Sequence, residues 1–126
     1  MKINFRGTRI PIETNTSVWG KKIPYTEIVV KNDSDVNEKF LQEQFVPHLQ
    51  KSIKLLGNDN RTVTEIAQKG TEENKLQIKK LVNVVINFDT DYVYYDYYFD
   101  VGKLFGGFVV HFKGAPEGNL EYIGIS

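Results

Sequence analysis

Cysteine is missing from this chain of 126 residues, and histidine is scarce, with two. The first absence removes disulfides, thiolate metal sites and cysteine nucleophiles together. The second leaves His48 and His111 as the only imidazoles for acid–base or metal chemistry. Net charge is lacking as well. Sixteen basic and sixteen acidic side chains cancel, so no overall basic footprint for nucleic acid exists. Long apolar runs are also absent, with no window near the roughly eighteen apolar residues of a membrane span. The opening stretch, MKINFRGTRIPIE, alternates apolar and polar residues and contains no signal-peptide core. These absences point to a cytoplasmic protein with neither a membrane nor a nucleic-acid partner.

Catalytic motifs are missing in the same way. The chain has no GxSxG, and its glycine cluster, Gly102, Gly106 and Gly107, lies between expected strands. A phosphate cradle needs a strand-to-helix transition instead. Nothing in the chain therefore announces a nucleophile or a cofactor loop, and the expectation is a non-enzymatic protein without cofactor.

What is present is a tyrosine-rich ribbon between Leu81 and Lys113. An apolar alternation (Val82, Val84, Ile86, Phe88) is followed by Asp89-Thr90-Asp91 and then by Tyr92, Tyr94, Tyr95, Tyr97 and Tyr98 within seven residues. The period of two predicts strands at Val82–Phe88, Tyr92–Asp100, Leu104–Lys113 and Leu120–Ile125. Short connections make such strands antiparallel neighbours, a four-stranded meander.

The N-terminal half supplies the rest of the fold. Lys2–Phe5 and Arg9–Glu13 alternate around Gly7 and read as a first hairpin. Pro11, with no backbone donor, pushes its strand to a sheet edge. A second extended pair is expected at Val18-Trp19-Gly20 and Tyr25–Lys31. Asn32-Asp33-Ser34-Asp35 signals a helix start, with Asp35 and Glu38 as a capping box. Leu41, Phe45, Leu49, Ile53 and Leu56 then form one stripe of an amphipathic helix that ends at Gly57-Asn58. Pro47 predicts a kink, or a junction of two helices with the proline in the first turn of the second. Thr62 and Glu65 form a second capping box, for a short helix ending at Gly70. The whole reads as one α+β domain over residues 1–126: an antiparallel sheet with its meander, N-terminal strands, and a long central helix on one face.

Candidate sites follow from this layout. Asp89-Thr90-Asp91 could hold a divalent cation on hard oxygen ligands. An EF-hand register fails, because the sixth position is Tyr94 and the twelfth Asp100. A hairpin turn is the preferred reading. A metal shared by His111, Asp96, Asp89 and Asp91 is the alternative, within a small-molecule or divalent-metal-binding domain. Alternation places Tyr92, Tyr94, Asp96 and Tyr98 on one face of the strand, and Val93, Tyr95, Tyr97 and Phe99 on the core face. With Asp89 and Asp91, the first set makes an acidic, tyrosine-bearing strip. Tyrosine offers large contact area at low entropy cost, and aspartates steer a basic partner. Asp89, Asp91, Tyr92, Tyr94, Asp96 and Tyr98 are therefore the expected protein-binding residues.

Several short motifs, Trp19-Gly20-Lys21-Lys22, Tyr98-Phe99-Asp100, Leu104-Phe105-Gly106-Gly107-Phe108 and Ile123-Gly124, occur in an order that resembles an uncharacterised bacterial family, domain of unknown function 2262. Where that family has Trp-Gly-His, this chain has Gly106-Gly107-Phe108, so no role for that histidine carries over. The resemblance implies a soluble bacterial protein of this fold, with no established activity. Small compact proteins of this kind look like immunity proteins, which neutralise a toxin by covering its surface. The expected partner is accordingly a basic toxin domain.

Overall fold

The computed structural model describes residues 3–5, 9–30, 34–89 and 91–126, and of 3–5 and 34–36 the backbone alone. Lys2, Gly7, Lys31, Asn32, Asp33 and Thr90, on which some sequence expectations fall, lie outside this set.

The C-terminal half forms the expected meander: β7 (Lys80–Phe88), β8 (Val93–Asp100), β9 (Val109–Gly114) and β10 (Glu121–Ile125), each antiparallel to the next. One expected strand is shortened. Leu104 to Phe108 form turns, not strand, because Gly102, Gly106 and Gly107 take positive φ of 74°, 64° and 90° and bend the chain before β9. The sheet then extends in an unexpected direction. Strand β5 (Tyr25–Val30) joins β7 in parallel, so the six-stranded sheet is mixed, in the order β10-β9-β8-β7-β5-β2. Strand β2 (Ile10–Pro11) closes the far edge, where Pro11 was expected.

The expected first hairpin does not form. Strand β1 (Ile3–Phe5) pairs instead with β6 (Ser34–Val36), and β2 pairs with β5. The segment around Trp19 makes its own small hairpin, from β3 (Ser17–Val18) and β4 (Lys21–Lys22). Trp19 itself stacks on Phe99 and donates its indole N–H to the Gly57 carbonyl, which ties this hairpin to the end of the core.

The central helix begins one signal later than expected. Asp35 lies in β6, paired with Asn4. The cap is Asn37, whose side chain accepts the Phe40 N–H at 2.9 Å. Helix α1 (Glu38–Phe40) runs into a π-helical turn at Leu41–Phe45 and then into α2 (Val46–Lys54), with Pro47 in its first turn. A proline ring clashes with the carbonyl four residues earlier and cannot donate to it. The wider turn just before Pro47, in which the Val46 N–H reaches Leu41, spares the helix a break.

Helix α3 (Arg61–Thr71) starts after Asn60, not at the expected Thr62 cap; Asp59 Oδ1 accepts the Arg61 N–H. Asn60 instead donates to the Ile78 carbonyl, and Thr64 and Gln68 hold Ile78 and Leu76, pinning the segment that leads into β7. The helix runs past Gly70 and stops at Glu72, which is left-handed. Gly70 serves packing: a Cβ there would sit 2.2 Å from the Tyr122 ring.

Both helical segments cover the same face of the sheet. The Tyr97 hydroxyl donates to the Ser52 carbonyl at 2.6 Å, and Gly70 meets Tyr122 of β10. Beneath them a core cluster joins Ile28 and Val30 of β5, Val84 and Ile86 of β7, Tyr95, Tyr97 and Phe99 of β8, and Phe112 of β9 to Phe45, Leu49, Leu56, Val63 and Ala67. The apolar stripes read from the helix period and the strand alternation meet here.

Candidate functional site

The register of the sheet assembles the polar face, opposite the helices, row by row. One row runs Tyr25, Asn83, Tyr98, His111 and Gly124 across β5, β7, β8, β9 and β10. The next runs Pro11, Glu27, Val85, Asp96, Lys113 and Glu121, and a third joins Val29, Asn87 and Tyr94. Val29 and Val85 are buried outside the main core cluster, so this face has an apolar floor of its own.

Asp96 is the centre of a polar network. Its Oδ1 lies 2.7 Å from His111 Nε2, and its Oδ2 accepts from the buried Asn87 at 2.9 Å. With both oxygens engaged, the carboxylate is fixed in place, and as an acceptor it sets the imidazole proton on Nε2. The His111 ring stacks on Tyr98, centroids 4.6 Å apart and planes 11° from parallel. Arg9 Nη2 also donates to the Tyr98 hydroxyl at 3.1 Å, and its guanidinium lies over the Tyr98 ring. That hydrogen bond is the main reason the Arg9 guanidinium holds its proton more tightly than usual. Lys113 places its ammonium 4.5 Å from the centre of the Tyr94 ring, and Tyr94 stacks on Tyr92.

Of the six expected binding residues, Tyr94, Asp96 and Tyr98 alternate along one face of β8, while Asp89, Asp91 and Tyr92 precede the strand. Asp91 and Tyr92 are exposed, Tyr92 by 58 %; Asp89, Tyr94, Asp96 and Tyr98 are half-buried. Asp89 forms the expected turn, its N–H bonded to the Tyr92 carbonyl at 2.9 Å. The uniform acidity read from residues 89–100 does not survive folding, however. Lys113 stands opposite Asp96, and Arg9 sits on Tyr98. The middle of the strip is thereby partly balanced by cations from elsewhere in the chain.

Of the four residues considered for a shared metal, Asp96 and His111 meet. Among the described residues, no group of three or more histidine, aspartate or glutamate side chains converges on a common point. His48 lies on the opposite, helix-covered side, where its Nδ1 and the Tyr95 hydroxyl share a hydrogen bond of 2.8 Å. Burial, reinforced by Lys51, holds its imidazole below the usual value, and burial pushes the Tyr95 phenol up to about 12. The resemblance motifs are spread over the fold: Trp19-Gly20-Lys21-Lys22 in the β3–β4 hairpin, Tyr98-Phe99-Asp100 on β8, Leu104 to Phe108 in the turns before β9, and Ile123-Gly124 on β10.

Arg9, Glu27, Asn83, Asn87 and Lys113 belong to this face but were not singled out from the sequence. The alternation through β7 carried a signal for Asn83 and Asn87, as the polar partners of Val84 and Ile86. Arg9 had none, being 89 residues from Tyr98 along the chain.

Two hollows adjoin the site. A cleft of about 700 Å³ lies along the β2 edge, between residues 11–15 and 22–26. A smaller hollow of about 230 Å³ is lined by Arg9, Tyr25, Val82, Asn83, Tyr98 and Val109. No described helix is long and apolar enough to cross a membrane. No family model, no curated protein and no solved structure matches the chain.

Proposed function

We propose that this chain is a non-enzymatic protein-binding domain that docks through the polar face of its sheet, and that it acts as a bacterial immunity protein by covering a basic toxin domain. Kinship with the domain of unknown function 2262 family is part of the same proposal, resting on the short motifs around Asp100 and Gly124.

The observation that carries the reading is the end of β8. An exposed tyrosine, Tyr92, is braced by ring stacking on Tyr94, which in turn lies under Lys113. Asp91 and Asp89 flank this platform. Rings already held in one orientation lose little entropy on binding, which is what makes aromatic anchors effective. Acidic groups beside them raise the rate of encounter with a basic surface.

The test is a titration of the chain with a purified basic toxin domain, sought among the products of the neighbouring genes. A 1:1 complex is expected, and the double variant Asp91→Lys, Tyr92→Ala should weaken it by about 30-fold or more, the scale of a hot-spot loss. Both side chains are exposed, so the fold should survive the change. Affinity unchanged by the double variant would sink this docking face.

A further inference from the structure

The turns that join β8 to β9 have an unusual composition for surface chain. Gly102-Lys103-Leu104-Phe105-Gly106-Gly107-Phe108 contains one lysine, no acidic side chain and three large apolar ones. Two tight turns shape it. The Gly106 N–H donates to the Lys103 carbonyl at 3.1 Å, and the Phe108 N–H to the Phe105 carbonyl at 3.2 Å. Phe105 packs against the core and roots the loop. Beyond that root the loop stands clear of the protein, for a Cβ added at Gly106 or Gly107 would meet nothing within 4 Å. Here Leu104 and Phe108 are 41 % and 59 % exposed. Single apolar side chains scattered over a surface need no explanation, but turns are ordinarily polar. Two large apolar groups held out together on one protruding loop mark a contact surface.

The charge around this loop is basic. Lys103 lies within it, and Lys79 lies beside it, its Cε 3.9 Å from where a Gly102 Cβ would sit. Lys80 pairs in register with Asp100 at the loop's root. None of the three ammoniums has an ion-pair partner among the described residues. Asp100 is turned to the loop itself, its Oδ1 accepting the Gly102 N–H at 2.8 Å.

We propose that this loop docks the protein on an anionic lipid surface, with Leu104 and Phe108 entering the headgroup layer and Lys79, Lys80 and Lys103 facing the lipid phosphates and carboxylates. Stable attachment to a membrane surface takes two signals, apolar insertion and a cluster of positive charge, and this end of the sheet supplies both. The tight turns already satisfy part of the loop's backbone, which lowers the cost of taking it out of water. A nucleic acid would use the lysines and gain nothing from Leu104; an apolar groove on a protein would use the tip and have no call on the lysines. Surface docking needs no span, in keeping with the absence of a long apolar helix among the described residues. It sets aside the expectation of no membrane partner. Asp91 and Tyr92 lie at the other end of the eight-residue β8, about 25 Å away at roughly 3.3 Å per residue, so a toxin and a membrane can be engaged at once.

The experiment is co-sedimentation of the whole chain with vesicles of phosphatidylcholine and phosphatidylserine in equal parts, beside vesicles of phosphatidylcholine alone. Binding is expected to the mixed vesicles and little to the neutral ones. Lys79→Gln with Lys103→Gln should weaken it by about 30-fold, from roughly fivefold per charge. Leu104→Ser with Phe108→Ser, both at exposed positions, should weaken it by about tenfold or more. Because the chain lacks cysteine, Leu104→Cys can carry a single environment-sensitive dye. Its emission should shift to the blue on mixed vesicles and become shielded from iodide. Thermal melts confirm that each variant is folded. The Asp91→Lys, Tyr92→Ala variant should bind mixed vesicles at least as well as the parent, which separates this surface from the toxin-docking one. No binding to mixed vesicles, equal binding to neutral ones, binding indifferent to Leu104→Ser with Phe108→Ser, or a dye left open to iodide overturns the proposal. Self-association in solution that the same double variant abolishes would make the occupant a second copy and overturn it equally.

Discussion

Tyr97 and Tyr98 are neighbours in the chain, yet their hydroxyls have opposite roles. Tyr97, fully buried, donates to the Ser52 carbonyl. That carbonyl lies at the end of α2, where the Leu56 N–H turns back to Ile53 and no longer serves Ser52. A tyrosine from the sheet thus caps an orphan carbonyl of the helix. Tyr98, on the polar face, accepts from Arg9 and presents its ring to His111 and to the guanidinium. Burial, reinforced by the neighbouring Tyr95, raises the Tyr97 phenol far above the usual tyrosine range, so that it stays a donor at any ordinary pH. The same residue type is a structural rivet on one face and an adjustable contact surface on the other. Neighbouring groups, not residue identity, make the difference.

Substitutions that strike one face alone should separate these roles. Phe99→Ala, which empties a fully buried site against Trp19, Tyr97 and Phe112, should cost about 3–5 kcal/mol in urea unfolding. Tyr97→Phe should cost about 1–3 kcal/mol by stranding the Ser52 carbonyl. A neutral result would mean that the carbonyl finds another partner and that the rivet is unimportant. Gly70→Ala forces a methyl into the Tyr122 ring. About 1–3 kcal/mol of overpacking, less up to ~1 kcal/mol of helix propensity, should lower the melting temperature. A rise would show that Tyr122 moves aside freely.

The helix face should also respond to pH. His48 titrates below its usual 6.5 in the folded protein, so the unfolded chain binds the proton more readily. Its contribution to stability is complete above pH 6.5 and is lost as pH falls through the folded value. Tyr95, raised to about 12 from 10, acts in the other direction: its contribution holds below pH 10 and fades as pH rises from 10 to about 12. Denaturation midpoints of His48→Gln and Tyr95→Phe should flatten the acid and alkaline limbs respectively. The smallest effect belongs to Tyr98→Phe on the polar face, expected within ~0.5 kcal/mol of the parent. A loss above ~1 kcal/mol would erase the contrast between the two faces.

The division of β8 into two faces was legible because alternation is a local property. So was the helix stripe from Leu41 to Leu56, and the role of Pro47, since backbone chemistry at one residue fixes both. Pairing partners were not local. Nothing in Tyr25–Val30 says that it will join β7 in parallel, and nothing near Ile3 says that it will seek Val36. For the site, the sum of charges along residues 89–100 overstated the acidity. A sheet sets its charges against those of adjacent strands, and Lys113 and Arg9 come from elsewhere in the chain. The turns from Leu104 to Phe108 were misread as strand because apolar residues between flexible glycines mimic one. Three positive φ angles, at Gly102, Gly106 and Gly107, decided otherwise.

The parallel seam between β5 and β7 also sets an order in time. Strands β7 to β10 can pair as soon as the short connections between them fold back, whereas β5 must wait until the chain from Val30 to Lys80, roughly fifty residues, has looped around. The meander is therefore expected to form first and β5 to insert late. Until it does, β7 stands as a bare edge presenting Val84 and Ile86, the kind of edge on which nascent chains associate. Weakening β5, for instance with Ile28→Ala, should then speed unfolding far more than it slows folding, and should raise the yield of aggregate on refolding.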